Sequence, residues 1–166
     1  RSLSSEQIQD ISASQVGTLQ AAQVAVLDVA QVQALATYQM AALTSGQLRA
    51  FTPEEFVALS NERTSAITVS ALIGLSTSQL AAARTDQIQA FSSEVFRGWS
   101  PVQFSSLGSS QLATLTFSQI EALSSQQLNS INSATFKSLP SDQIAQISPQ
   151  VISSFSTMQL AALTSL

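Results

Sequence analysis

The chain has 166 residues, of which 45% are hydrophobic and only 10% are charged, and its formal net charge is −4. The few basic residues are scattered, which argues against nucleic acid and against anionic membrane surfaces, because both require clustered positive charge. Cysteine and histidine are absent, which excludes disulfides, zinc sites and thiol chemistry. The apolar content is high enough for a large core and argues against disorder.

The dominant feature is a repeat of eight residues that runs through the sequence without insertion or deletion. Apolar residues occupy every eighth position from Ile8 to Leu160, with Thr64 as the one polar member, and we name this series the first apolar column. A second apolar column runs in the same steps from Leu3 to Leu163, with Ala83 as its one small member. We interpret residues 1–166 as a single repeat domain and expect it to be a segment of a longer repeat array.

Every octad carries a complete helix-start signal. In the pattern Ser/Thr-x-x-Gln, the hydroxyl accepts a hydrogen bond from the third backbone N–H of the helix, and the glutamine accepts one from the N–H of the cap residue. Apolar residues on both sides of this capping box form a hydrophobic staple. The predicted capping boxes include Ser4 with Gln7, Thr116 with Gln119, and Ser124 with Gln127.

A helix start in every octad leaves room for only one or two helical turns, and helices this short are not stable alone. We therefore predict an all-α solenoid, a superhelix of about 20 short helices around one continuous apolar interior. One continuous helix is excluded because eight residues advance about 80° beyond whole turns, which would spread the apolar residues around its surface. A β-solenoid stays open as an alternative, although Ala and Gln are poor strand formers.

The octad Phe51-Thr52-Pro53-Glu54-Glu55-Phe56-Val57-Ala58 places Pro53 at the first helical position, where proline is favoured. This unit resembles the short-helix repeats of the mesothelin, stereocilin and otoancorin family. It also resembles Ser/Thr-Gln-rich repeats of large secreted bacterial surface proteins. The resemblance extends over the repeat units of the whole chain. It implies a right-handed superhelix that works in attachment outside the cell.

The octads between residues 61 and 98 are the least regular, and large aromatic residues cluster in the last of them and just beyond. One interpretation is a partner-binding patch, because aromatic residues and arginine are typical of binding hot spots. The residues of this patch would be Phe91, Phe96, Arg97, Trp99 and Phe104. All four aromatic residues fall on the apolar columns, which favours the alternative that they fill the core.

The sequence offers little catalytic chemistry. Histidine and cysteine are absent, Lys137 is the one lysine, and the serines stand mostly at cap positions, so we expect no enzyme and no cofactor. A weak calcium site near Glu54, Glu55 and Glu62 is conceivable. These acids are more simply explained by the favourable field at a helix N-terminus.

We therefore expect a structural repeat segment of an extracellular or cell-surface protein, acting as a spacer, adhesive stalk or filament subunit. The expected partners are copies of itself or other surface and matrix proteins, with no small-molecule substrate and no insertion into a membrane. The alternative is a binding module that holds a peptide or glycan on the surface of the superhelix. At the residue level, Gln119→Ala is expected to cost far less stability than Ile120→Asp, because it removes one capping contact whereas the other change buries a charge.

Overall fold

A computed structural model describes residues 4–137, 139–145, 147–153 and 155–163, and within them each octad forms one helix of four to seven residues. The helices are α1 (Ser5–Gln9), α2 (Ala13–Thr18), α3 (Ala21–Val24), α4 (Val29–Ala34), α5 (Thr37–Met40), α6 (Ser45–Ala50), α7 (Pro53–Val57), α8 (Asn61–Ala66), α9 (Val69–Leu72), α10 (Thr77–Ala82), α11 (Thr85–Ala90), α12 (Ser93–Gly98), α13 (Pro101–Phe104), α14 (Ser109–Leu112), α15 (Phe117–Glu121), α16 (Ser125–Ser130), α17 (Ser133–Lys137), α18 (Ser141–Ala145), α19 (Pro149–Ile152) and α20 (Thr157–Leu163). The predicted all-α repeat architecture is confirmed.

The corner between helices is built from extended residues and does not depend on glycine. At the end of α6, Phe51 has φ −65° and ψ 139°, and the next residue, Thr52, caps α7 with φ −64° and ψ 158°. The N–H of Phe51 donates to the carbonyl of Leu48 at 3.2 Å. No described residue has a positive φ. Large apolar side chains can therefore occupy the corner, because an extended backbone accepts any residue type.

Successive helices stack with a constant offset of three. Each helix from α1 to α13 packs on the helix three places further along the chain, and α17 packs on α20 in the same way. The octads therefore coil into a solenoid in which every turn rests on the one before it, which is how repeat units too small to fold alone bury a common core. The right-handed sense implied by the family resemblance stays a prediction.

The two apolar columns form one continuous core. The first column is buried from Ile8 to Phe136, and the described members of the second column are buried from Leu35 to Phe155. Thr64 is fully buried in the first column and donates its hydroxyl hydrogen to the carbonyl of Ser60 at 3.0 Å, so its polar atom is satisfied. Leu3 and the side chain of Leu163, the ends of the second column, lie outside the described residues.

Small residues allow neighbouring turns to approach closely. A Cβ atom built on Gly74 would collide with Cβ of Ser45 on the preceding turn, and one on Gly98 would collide with the side chain of Ile73. By contrast, a Cβ on Gly46 would meet no atom within 4 Å. The spacing between turns at Gly74 and Gly98 therefore depends on the absence of a side chain.

Candidate functional site

A series of glutamines, buried except for the half-buried Gln103, connects turns of the solenoid to the turns before them. We name as the glutamine ladder those glutamines whose Nε2 atoms donate to backbone carbonyls 28 to 31 residues upstream. Its members are Gln39, Gln47, Gln79, Gln87, Gln103, Gln111, Gln119, Gln127, Gln143 and Gln159. The ladder is the most regular polar feature of the molecule, and it runs through the stacked turns.

Gln79 shows the geometry of the ladder. Its Oε1 accepts from the backbone N–H of Ser76 at 2.9 Å, which completes the capping box of α10. Its Nε2 donates to the carbonyls of Leu48 and Phe51, both at 2.8 Å, on the preceding turn. The carboxamide oxygen thus accepts a hydrogen bond within its own helix, and the two N–H hydrogens donate to the preceding turn. Together these bonds satisfy the acceptor and both donors of the amide group. The side chain is fully buried.

The ladder adds hydrogen bonds of Gln119 that the sequence did not predict. The predicted capping box with Thr116 is present, with hydrogen bonds at 2.9 and 3.3 Å. However, Gln119 is only 2% exposed, and its Nε2 also lies 3.0 Å from the carbonyl of Ile88 and 2.7 Å from that of Phe91. Its removal would leave two buried carbonyls without these donors, which costs more than the loss of one cap.

The other predicted capping boxes are present as well. Ser4 and Gln7 exchange hydrogen bonds of 2.9 and 3.2 Å, and Ser124 and Gln127 exchange bonds of 2.8 and 3.3 Å. Gln127 is buried and also donates to the preceding turn, whereas Gln7 is exposed. The same sequence signal therefore corresponds to two environments, one buried against the preceding turn and one exposed.

Other side chains replace the glutamine donors in the irregular octads. Arg63 stands at a glutamine position, and its Nε donates to the carbonyl of Leu35 at 2.8 Å. Trp99 donates its indole N–H to the carbonyl of Leu72 at 3.2 Å, and Gln103 bonds instead to Ile73 and Leu75 at 2.8 and 2.7 Å. Connection between turns therefore persists where the sequence repeat weakens.

The aromatic residues of the predicted partner patch lie inside the solenoid. Phe96 and Phe104 are fully buried, and Phe91 and Trp99 are almost so. The rings of Phe91 and Trp99 meet edge to face with centroids 5.6 Å apart, and those of Phe96 and Trp99 are 4.8 Å apart. This arrangement is the core interpretation that the sequence favoured. Of the five patch residues, only Arg97 is exposed.

Gln143 differs from the rest of the ladder because a proline precedes its helix. Its Nε2 donates to the carbonyls of Ala113 and Leu115 at 3.0 and 2.9 Å. Its Oε1 is buried and has no hydrogen-bond partner. The cap position is Pro140, which has no N–H to donate. The unpartnered oxygen is therefore the direct consequence of proline at a cap.

Charged groups are sparse, and Arg84 and Asp86 form a local ion pair. The Nε of Arg84 lies 3.0 Å from Oδ1 of Asp86, and its guanidinium also donates to the carbonyls of Val57 and Leu59 on the preceding turn. The hydrogen bond from Arg84 lowers the pKa of Asp86 below its usual value of 3.8. Arg84 thus connects two turns at a cap position that lacks a hydroxyl.

The acids near Glu54, Glu55 and Glu62 are not arranged as metal ligands. Across the described part of the chain, no group of three or more acidic, histidine or cysteine side chains could hold a metal ion. In the same residues, no helix is long and apolar enough to cross a membrane. Glu55 instead acts as a capping residue, because its Oε2 accepts from the N–H of Thr52 at 2.8 Å.

One open groove lies on the surface beside the ladder. It is lined by residues that include Gln89, Thr114, Phe117 and Asp142. Phe117 stands at a position where most octads have a small or polar residue, and 53% of its surface is exposed. An exposed ring next to carboxylate, amide and hydroxyl groups can contact a partner, and the octad pattern alone did not single it out.

Comparisons with known proteins leave the family open. No protein-family model matches the chain, and no curated protein matches it either. The resemblance to the mesothelin-like family and to bacterial surface repeats therefore rests on the octad itself.

Proposed function

We propose that this chain is a non-enzymatic structural segment of an extracellular or cell-surface protein, where it serves as a spacer, adhesive stalk or filament subunit. The observation that carries the proposal is the glutamine ladder. It connects successive turns by hydrogen bonds from glutamines that are separated by multiples of eight residues between Gln39 and Gln159. A continuous core with such connections resists bending, which is the property that a spacer needs.

The surface supports the same proposal. The exposed positions are dominated by Ser, Thr, Gln and Ala, and charged residues make up only 10% of the chain. Such a surface is uniform along the solenoid and suits repetitive contacts with surface or matrix proteins. The extracellular setting rests on the resemblance of the octads to secreted repeat proteins.

Small-angle scattering of dilute protein tests the structural proposal. Variants lengthened by duplicated octads should keep the same cross-section and gain length in proportion to the number of octads added. The matched control is an insertion of equal length with the same composition but scrambled columns, which should expand the cross-section because it cannot stack. A compact particle whose length does not increase with added octads would refute the proposed structural function.

The second candidate is a binding module, and the exposed ring of Phe117 beside Asp142 is the observation that favours it. A glycan or peptide lying in this groove would contact the ring and hydrogen-bond to the carboxylate. Binding that is found in a glycan and peptide screen and lost in Phe117→Ala, but kept in Val102→Ala, would support this candidate. Val102 is the matched control because its side chain is also exposed.

A further inference from the structure

We propose that the solenoid binds a primary carboxamide, the group that glutamine and asparagine side chains carry, in a cavity where the glutamine ladder lacks a member. The cavity has a volume of about 170 Å³ and lies beside Val95 of α12, among residues that include Thr64, Ile67 and Ser92. The partner would be a polypeptide that presents such a side chain. This site goes beyond the proposed structural function and does not depend on it.

Val95 stands where the octad pattern places a ladder glutamine. Its side chain is buried, with 1% of its surface exposed, and contains no polar atom. The corresponding residue of the next turn is Gln119, three octads further along, in the helix α15 that packs on α12. Gln119 accepts from the N–H of its cap residue Thr116 at 2.9 Å. It donates to the carbonyls of Ile88 and Phe91 at 3.0 and 2.7 Å. Valine can form none of these hydrogen bonds.

The equivalent backbone groups around Val95 lack these partners. They are the N–H of Ser92, the carbonyl of Thr64 and the carbonyl of Ile67, each three octads before its counterpart around Gln119. Within the described residues, the N–H of Ser92 has no acceptor, and neither carbonyl receives a side-chain donor. The hydroxyl of Ser92 makes no capping bond either. One donor and two acceptors thus remain at a cavity, in the combination that a single carboxamide satisfies elsewhere in the ladder.

The lining of the cavity favours a neutral ligand. Of the described residues that line it, none is charged, so an ammonium or a carboxylate would enter without a counter-charge. A carboxylate would in addition face two carbonyl oxygens with no hydrogen to donate. An ammonium could not accept a hydrogen bond from the N–H of Ser92. A primary carboxamide is neutral and carries both the acceptor and the two donors that the site requires.

The size and the apolar part of the cavity suit a whole side chain. Leu72 and Phe91 are buried and line the cavity, where methylene groups of a ligand can pack on them. Ser65, Ala90 and Ser92 also line it and are exposed, so a ligand can enter from solvent. The volume of about 170 Å³ exceeds the roughly 30 Å³ that one water molecule takes in the liquid. The cavity therefore has room for more than a single bridging water.

Titration with propionamide, followed by NMR, tests the proposal, because propionamide is the side chain of glutamine without its backbone. Its binding should shift the amide resonance of Ser92 in a saturable manner, since this N–H gains an acceptor. Propionate has nearly the same shape but no donor. It should bind at least about tenfold more weakly, because it leaves both carbonyls without a partner.

The variant Val95→Gln restores the missing member of the ladder and should abolish binding of propionamide, because its own carboxamide would fill the cavity. A cooperative melt at an equal or higher temperature would show that this variant is folded. The matched control is Ser118→Gln, which adds a glutamine at an exposed position of α15. It should bind propionamide as the unmodified chain does.

The tripeptides Gly-Gln-Gly and Gly-Glu-Gly extend the test to a polypeptide partner. The glutamine peptide should shift the same resonance of Ser92, whereas the glutamate peptide should leave it in place. Binding of propionamide without binding of the glutamine peptide would overturn the proposed polypeptide partner, because the mouth of the cavity would then admit only small amides.

Three results would overturn the carboxamide site itself. An amide resonance of Ser92 that propionamide does not shift would mean that water alone fills the cavity. Equal binding of propionamide and propionate would show that the two carbonyls do not select the ligand. Binding that persists in a folded Val95→Gln variant would place the ligand elsewhere. If that variant failed to fold, the comparison of propionamide with propionate on the unmodified chain would still decide the question.

Discussion

At the residue scale, the glutamine of each octad performs two functions that depend on different neighbours. The oxygen of Gln79 caps its own helix, and its nitrogen reaches the preceding turn. The capping bond is local and needs only a glutamine or glutamate in the octad and a cap residue that has an N–H. The donor bonds require the carbonyls of an adjacent turn. The glutamine is buried or half-buried where it makes these bonds and is exposed at Gln7, Gln15 and Gln23.

The first prediction compares two identical substitutions. Gln119→Ala should destabilise the fold by about 3 kcal/mol, because it leaves buried carbonyls without donors and creates a cavity. Gln7→Ala should cost about 0.5–1 kcal/mol, because only one exposed capping bond is lost. Chemical denaturation of both variants measures the difference. Equal costs would show that the connection between turns contributes nothing to stability.

The second prediction concerns the unpartnered oxygen of Gln143. Pro140→Ser would supply the missing cap N–H and a hydroxyl acceptor, and should stabilise the protein by about 1 kcal/mol after the entropic loss of proline is included. Pro53→Ser is the matched control and should not stabilise, because Pro53 occupies the first position of α7, where its missing N–H has no intrahelical partner. Thermal melts that show no gain for Pro140→Ser would mean that the Gln143 oxygen is already satisfied, for instance by water.

At the scale of single elements, the octad sequence was sufficient to predict the helices, their starts and the columns that they bury. Pro53 occupies the predicted first helical position, and Pro101 and Pro149 stand at the same position of their own helices. The stacking offset could not be predicted, because it depends on how extended corners such as Phe51–Thr52 turn the chain in three dimensions. For the same reason the sequence predicted the cap of Gln119 but not its partners 28 and 31 residues away.

The third prediction uses two glycines that differ in their surroundings. Gly46→Ala should stabilise the protein by about 0.5–1 kcal/mol, because Gly46 lies within α6 and the added methyl group meets open space. Gly74→Ala should destabilise it by about 1–3 kcal/mol, because the methyl group would push against Ser45 of the neighbouring turn. Both values come from equilibrium unfolding. A neutral Gly74→Ala would indicate that the turns can separate at little cost.

At the scale of the whole molecule, the structure is nearly one-dimensional. Helices pack on helices three places away, and no described helix pair with extensive contact departs from this offset. Stability should therefore be the sum of similar octads and similar interfaces between turns. Ladder bonds such as those of Gln79 span 28 and 31 residues. An insertion or deletion must therefore keep the octad positions of successive turns aligned, or the columns and the ladder no longer meet their partners.

The fourth prediction tests whether the columns of successive turns must stay aligned. Deletion of residues 116–123, one octad, should leave a folded solenoid with a cooperative melt, because the downstream helices meet equivalent partners after a shift of one place. Deletion of residues 116–122 removes one residue fewer but should unfold everything on one side of the junction, because the columns no longer align. Circular dichroism and thermal melts distinguish the two variants. Equal tolerance of both deletions would contradict the dependence of folding on the alignment of the columns.

The absence of any left-handed residue at the described corners has a consequence for how such a chain can change over generations. Since no corner demands a special residue, one octad can be copied from its neighbour and still fit. Unequal crossing-over between near-identical stretches of DNA would then produce longer or shorter proteins that fold at once. The length of the protein would be set by the number of octad copies in its gene. Natural selection could change that length without the evolution of a new surface.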